Sequence, residues 1–133
     1  MTAKRFQDLQ VYQLSERLAD DIWKIVGEWD LFDKETIGKQ IVRSADSIGA
    51  NIAEGSGRGS FQDNKRFIKI ARGSLNETQH WLRRAYMRNL LTSEQINSIQ
   101  ITMNELAPKL NAYLNSIGNI PKTNDQKQMT KNK

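Results

Sequence analysis

Positively charged side chains are concentrated in one segment of this 133-residue chain, and they are the residues best suited to a chemical role. Residues 58–88 contain eight lysines and arginines against two acids, Asp63 and Glu77, whereas the whole chain has a net charge of +5. Charge concentrated in this way favours a surface that faces a polyanion such as RNA or DNA. The alternative is a solvated helix face that has no ligand.

Helical spacing would place several of these cations on one face of a third helix. Lys65, Lys69 and Arg72 follow a four-then-three spacing, and Arg83 continues the same face. Such a stripe would contact phosphates and bind RNA or DNA with little sequence preference. The residues predicted to contact nucleic acid are Arg58, Lys65, Arg66, Lys69, Arg72, Arg83 and Arg84. The competing interpretation is a protein-interaction scaffold or accessory subunit that binds no nucleic acid.

Two acids and two arginines in the same part of the chain predict a polar clasp. We expect Glu54 and Glu77 to pair with Arg58 and Arg72 near the bundle or subunit interface. Buried ion pairs contribute little net stability, but they can fix the register of packed helices.

The glycines at positions 55, 57 and 59 predict a chain reversal through positive φ angles. A glycine-rich loop that precedes a helix N-terminus can also present backbone N–H groups to a phosphate, with Arg58 beside it. The loop follows a helical pattern and lacks a Gly-Lys-Ser/Thr continuation, so it is not a nucleotide fingerprint. A structural turn and a phosphate site are both left open.

The sequence offers no catalytic constellation. Cysteine is absent and His80 is the single histidine, which excludes Cys-ligated zinc and a di-iron site with two Glu-x-x-His motifs. A Ser-His-Asp triad would have to use His80, which lies in mid-helix without a nucleophile elbow. We therefore predict a non-enzymatic protein with no catalytic, cofactor-binding or metal-binding residues.

Four separate stretches have apolar residues at every third or fourth position, as in amphipathic helices. They run from Val11 to Trp29, Ile37 to Ile52, Phe67 to Ala85 and Ile96 to Ile117. The connections are short and period-two alternation is absent, so we predict an all-α, antiparallel, up-and-down four-helix bundle. Pro108 falls inside the fourth stretch and should kink it.

Capping signals mark the ends of these helices. We predict that Asp33 caps the second helix, that the third begins near Ser60, and that Thr92 and Gln95 form a capping box. Gly118 should end the fourth helix. The bundle domain is expected to span residues 1–118, followed by a disordered polar tail over 119–133. Membrane-length apolar runs and a secretory signal are lacking, so we expect a cytoplasmic protein.

Two helices have more apolar residues than one core-facing stripe requires. The additional residues are Tyr12, Ala19, Trp23 and Val26 in the first helix and Ile68, Leu75 and Trp81 in the third. We expect these stripes to bind a partner surface, and we therefore predict self-association. A wide core face with scattered surface aromatics is the alternative.

Motifs around the turn between the second and third helices resemble a known family. They are Gln40-Ile41-Val42-Arg43, Ser47-Ile48-Gly49-Ala50-Asn51-Ile52-Ala53-Glu54-Gly55-Ser56-Gly57-Arg58 and Phe67-Ile68-Lys69-Ile70-Ala71-Arg72-Gly73-Ser74-Leu75-Asn76-Glu77, together with the opening Phe6-Gln7-Asp8-Leu9-Gln10-Val11-Tyr12-Gln13. The chain is similar over residues 6–117 to the four-helix bundle proteins named after intervening sequences of bacterial 23S rRNA genes, also called the S23 ribosomal protein family. Val42 and Gly49 depart from the family pattern.

The resemblance implies an antiparallel four-helix bundle that assembles as a ring-like homopentamer, and it implies no known activity. The residues that match the family motif are Arg43, Asn51, Glu54, Gly55, Gly57, Arg58, Arg72, Ser74 and Glu77. The partners expected on all these grounds are further copies of the chain and RNA or DNA.

Overall fold

Four long helices form the protein in a computed structural model that describes residues 5–119. They are α1 (Gln10–Gly27), α2 (Lys39–Ser56), α3 (Phe61–Met87) and α4 (Ser93–Ser116). α1 packs against α2 and α4, and α3 packs against the same two helices on the other side. The described residues contain no strand, which confirms the predicted all-α four-helix bundle. The predicted disordered tail lies outside the described residues from position 120 onward.

The entry to α2 has an irregular helical path. Residues Leu31–Asp33 are α-helical and Lys34–Gly38 are π-helical, and the chain then continues directly into α2. The side chain of Asp30 accepts a hydrogen bond from the Asp33 backbone N–H at 3.1 Å. The N-cap is therefore Asp30, and the prediction of Asp33 is wrong because the helix begins three residues earlier.

The other predicted caps are confirmed. The Ser60 hydroxyl accepts from the Asp63 backbone N–H at 3.1 Å at the start of α3. Thr92 and Gln95 form both hydrogen bonds of the capping box, at 3.0 and 2.9 Å. Gly118 follows α4 with a φ of 85°, and α4 continues through Pro108 to Ser116.

One broad apolar core occupies the space between the helices. The α3 residues that point into it are Ile68, Ala71, Leu75, Thr78, Leu82 and Ala85. Most of the predicted partner stripes belong to this core, since Ala19, Val26, Ile68 and Leu75 are buried. That prediction is wrong for these four residues, because each helix turns a wide face inward. Trp23 differs, as 65% of its surface is exposed.

Close packing joins the end of α2 to the start of α3. A Cβ atom on Gly55 would lie 2.7 Å from Asn64 Oδ1 and 3.0 Å from Phe67 Cβ, so any side chain here must displace one of them. Further along the same interface, the hydroxyls of Ser44 and Thr78 are hydrogen bonded at 2.9 Å inside the core. Both features lie within the interface between α2 and α3 and add to the apolar packing there.

We predict that Gly55→Ala destabilises the bundle by about 1–3 kcal/mol, because the methyl group must displace Asn64 or Phe67. Gly73→Ala is the matched control, since Gly73 is exposed in mid-α3 with nothing within 4 Å of an added Cβ. That substitution should stabilise the protein by about 0.5–1 kcal/mol through helix propensity. Urea unfolding followed by circular dichroism measures both, and a Gly55→Ala protein as stable as the control would contradict this account.

Candidate nucleic-acid interface

The buried side of α3 determines where its charged residues lie. Successive side chains are about 100° apart around a helix, so the cations fall into two groups on either side of the core stripe. Lys65, Lys69, Arg72 and Arg83 occupy the flank next to α4. Arg66 and Arg84 are turned further toward α2, but Arg66 is three residues from Lys69 and lies only about 60° from it around the helix. The two groups therefore differ mainly in their partners, since Arg66 pairs with Asp63.

The flank of α4 beside the first group presents amide side chains. Arg72 Nη1 donates to Asn111 Oδ1 at 3.2 Å, which joins the two helices directly. About two to three turns toward the start of α4, Gln100 Nε2 donates to Asn104 Oδ1 at 2.9 Å. The surface formed by Lys65, Lys69, Arg72, Arg83, Gln100, Asn104 and Asn111 is called the α3–α4 face below.

The cations of the α3–α4 face have no carboxylate partner among residues 5–119. The ion pairs in this part of the chain are Arg5–Asp8, Arg58–Glu54 and Arg66–Asp63. On α4, Glu94 faces away and lines a groove with α1. Lys65, Lys69 and Arg72 span about 10 Å of helix, and Arg83 lies eleven residues, about 16 Å, beyond Arg72 on the same side of α3. A row of this kind can contact several phosphates of one nucleic-acid strand.

The second group of cations is tied to the corner between α2 and α3. The guanidinium groups of Arg58 and Arg66 both lie over the Phe67 ring, 4.7 and 4.6 Å from its centroid. Glu54 pairs with Arg58 at 2.8 Å, and Asp63 pairs with Arg66 at 3.6 Å. Because each of these arginines is paired with a carboxylate, this corner carries little net charge. Arg84 is half-buried and lies eighteen residues further along α3 than Arg66.

The predicted polar clasp forms only in part. Glu54 and Arg58 pair as expected, but Arg72 contacts Asn111 and Glu77 accepts from Trp81 Nε1 at 3.0 Å. Arg72 and Glu77 are five residues apart, which places them about 140° from each other around α3. The four-residue clasp is therefore wrong, and helical geometry is the reason.

The hydrogen bonds of the remaining motif residues are local to their own helices. Asn51 Nδ2 donates to the Ser47 carbonyl at 2.8 Å, and the Ser74 carbonyl accepts from the Thr78 hydroxyl at 2.8 Å. Arg43 is exposed on α2, and its carbonyl accepts from Ser47 Oγ at 2.8 Å.

The glycine-rich loop reverses the chain without left-handed backbone. Gly57 has a φ of −90°, and Gly118 is the glycine with positive φ among the described residues. The predicted positive φ angles at positions 55, 57 and 59 are therefore wrong. The first turn of α3 already contains the Ser60 cap and the acid Asp63, which compete with an incoming phosphate.

The opposite side of the bundle is acidic, a feature that the sequence analysis missed. Glu16 and Asp20 of α1 and Asp46 of α2 lie around one shallow groove with Tyr12. Burial, and then the charge of Asp20, raise the pKa of the Asp46 carboxyl. Burial and the charges of Glu16 and Asp20 raise the pKa of Tyr12. The four-residue spacing of Glu16 and Asp20 indicates two acids on one face of α1. That Asp46 lies beside them follows only from how α1 packs on α2.

A second groove, with a largely apolar lining, lies toward the other end of α1 and α2. Exposed Trp23 and half-buried Val42 line this second groove, whose volume is about 490 Å³, together with Lys39. The side formed by α1 and α2 therefore has an acidic groove at one end and, at the other, a groove in which Lys34, Glu35 and Lys39 accompany Trp23.

His, Cys, Asp and Glu residues do not cluster within residues 5–119 in a group that could hold a metal ion. His80 is exposed and packs edge-on against the Trp81 ring at 4.7 Å. None of the described helices combines the length and apolar composition that a membrane span requires.

Comparisons with known proteins confirm the resemblance inferred from the motifs. The family described as 23S rRNA-intervening sequence protein matches the chain over residues 7–112. The chain is also similar to a crystal structure of a protein with unknown function from the S23 ribosomal protein family of Bacteroides thetaiotaomicron, at 30% identity and a TM-score of 0.70. That similarity covers 78% of this chain and 97% of the other. No curated protein is significantly similar.

We predict that Asp46→Asn stabilises the protein at neutral pH. The folded-state pKa of Asp46 is raised above the ordinary value of 3.8, so the ionised carboxylate destabilises the fold above that value. The gain should disappear as the pH falls through the folded-state pKa to below 3.8, where the wild-type carboxyl is neutral in both states.

Thermal unfolding of both proteins between pH 3 and pH 7 measures the difference. Glu105→Gln, an exposed carboxylate on α4, is the control and should change stability little at either pH. A constant difference across this range would show that ionisation of the Asp46 carboxyl is not the cause.

Proposed function

The chain belongs to the 23S rRNA-intervening sequence protein family, and we propose that it is a non-enzymatic, self-associating bundle that binds RNA or DNA through its α3–α4 face. One observation carries this proposal. Lys65, Lys69, Arg72 and Arg83 lie in a row along α3 with no carboxylate partner in the described chain. Their neighbours on α4 are amides, which can donate to phosphate oxygens without neutralising the cations.

Binding of this kind draws its free energy from phosphate contacts. Each lysine or arginine that neutralises a phosphate releases condensed counterions, so the affinity falls steeply as salt is added. Phosphates carry no sequence information, so the proposed binding is nearly independent of sequence. In a homo-oligomer the face is repeated in every subunit, and several weak contacts to one nucleic acid then act together.

The acidic groove between α1 and α2 also favours binding of nucleic acid on the opposite side of the bundle. Glu16, Asp20 and Asp46 repel a polyanion, so a nucleic acid that approaches the bundle is directed toward α3 and α4. Steering by opposite charge on two sides of a small protein acts on the association rate and weakens with ionic strength.

Self-association is the second part of the proposal, and the family resemblance suggests a ring-like homopentamer. Trp23 supports it, because a large exposed aromatic beside an apolar groove gains from burial against another molecule. The same groove also supports the competing function, a scaffold that holds another protein and no nucleic acid.

We predict that the triple reversal Lys65→Glu, Lys69→Glu and Arg72→Glu weakens nucleic-acid binding by more than about tenfold, since three phosphate contacts become repulsive. Fluorescence anisotropy of a labelled RNA hairpin and a DNA duplex, measured in a salt series, gives the affinity. For the wild type, log affinity should fall linearly with log salt, by about 0.9 per phosphate contacted on the duplex.

The matched control reverses Arg17, Lys24 and Arg43, three exposed cations outside the α3–α4 face, and so changes the net charge equally. It should retain most of the affinity. Equal losses in both triple variants would mean that only net charge matters. Absence of wild-type binding at low salt would exclude nucleic acid and favour the scaffold.

We predict that Trp23→Ser weakens self-association, because it removes the exposed apolar surface beside the α1–α2 groove. Sedimentation velocity over a concentration series should show the wild type as an oligomer and the variant shifted toward monomer. Ile101→Ser on α4 removes a residue that is 70% exposed and serves as the control. An unchanged sedimentation coefficient for Trp23→Ser would place the subunit contact elsewhere.

A further inference from the structure

A small groove lies at one end of the α3–α4 face, and its lining differs from the rest of that face. Its volume is about 310 Å³, and its walls include Gln79, Arg83 and Tyr86 from α3 and Gln100 from α4. Leu82 and Met103 form its floor, and each is only 2% exposed. Tyr86 is 43% exposed, so an aromatic side chain of this face is accessible to a ligand.

We propose that this groove binds an unstacked nucleobase, so that the preferred ligand of the protein is single-stranded nucleic acid. The inference rests on the proposed function, since it adds a base site to the phosphate track along α3. It names the class of nucleic acid, which the cations alone do not.

The lining of the groove matches the chemistry of a base. A nucleobase has apolar π-faces, one of which the exposed Tyr86 ring can cover, and a polar edge with donors and acceptors. Gln79 and Gln100 supply amides at the rim of the groove. Gln100 Nε2 donates to Asn104 Oδ1, which leaves the Gln100 carbonyl oxygen to accept a hydrogen bond from a base. Amides contain both donors and acceptors, so this edge recognition tolerates different bases.

The groove lies beside a cation of the α3–α4 face. Arg83 lines the groove and lies on the same side of α3 as Lys65, Lys69 and Arg72, about 16 Å beyond Arg72, so a strand several nucleotides long can reach both. A strand that follows this row brings a base beside Tyr86 without leaving its phosphate contacts.

Single strands fit this arrangement better than duplexes. A base inside a duplex is stacked and paired, and its extrusion costs a few kcal/mol before it can enter a groove. Bases of a single strand are already free to leave their neighbours and to stack on an aromatic side chain. A duplex therefore contacts only the cations of the α3–α4 face, whereas a single strand contacts both the cations and the groove beside Tyr86.

The test compares three labelled probes at low salt by fluorescence anisotropy on the full chain. They are a twelve-residue oligothymidylate, an abasic deoxyribose-phosphate oligomer of the same length, and a DNA duplex. The abasic oligomer carries the same phosphates without bases. We expect the oligothymidylate to bind about tenfold more tightly than the abasic oligomer, as for one base stacked on an aromatic residue.

Substitution of Tyr86 assigns that difference to the groove. Tyr86→Ala should weaken oligothymidylate binding by about tenfold and leave the abasic oligomer and the salt dependence unchanged. Tyr86→Phe keeps the ring and should restore binding. Phe32→Ala removes another exposed aromatic, outside this face, and should have no effect.

The outcomes separate this inference from the proposed function. Equal affinity for the first two probes, with no effect of Tyr86→Ala, would overturn the base site while salt-dependent duplex binding still supported the phosphate track. Equal weakening of all three probes by Tyr86→Ala, with a changed sedimentation coefficient, would make Tyr86 a subunit contact and also overturn it. Failure of every probe to bind at low salt would remove both proposals.

Discussion

Burial of one continuous stripe of α3 against α2 and α4 decides where every charged side chain of that helix lies. Ile68, Leu75 and Leu82 are almost completely buried, which fixes the rotation of α3 about its own axis. Gly55 allows the end of α2 to approach the start of α3 closely, and the hydrogen bond between Ser44 and Thr78 joins the two helices further along. Once the rotation is fixed, the helix period sends the cations to two flanks with different neighbours.

The neighbours then determine which cations remain available to a ligand. Arg58 and Arg66 meet carboxylates and an aromatic ring at the corner of the bundle, so their charge supports the fold. The row that includes Lys69 and Arg72 instead meets amides of α4 and keeps its charge. Ion pairs on a protein surface contribute little stability, so the fold does not require carboxylates beside these cations. The unpaired row is therefore free to be used for binding.

Much of the fold could be predicted from the sequence, because helix period, caps and turns are local properties. The four helices, the cap at Ser60 and the capping box at Thr92 are examples. The candidate site was predicted only in part. The stripe on α3 followed from spacing, but its amide neighbours and the acidic groove near Asp46 depend on which helices pack together. The clasp failed because Arg72 and Glu77 were grouped by closeness in sequence, whereas the helix period separates them.

The central claim is that nucleic acid contacts the α3–α4 face and avoids the acidic side of the bundle. Lysine acetylation footprinting, read out by mass spectrometry with and without a single-stranded oligonucleotide at low salt, tests it directly in any oligomeric state. The account predicts that Lys65 and Lys69 are protected, while Lys24 and Lys39 react at unchanged rates. Protection of Lys24 and Lys39, or no protection at any of the four lysines under conditions of binding, would contradict it.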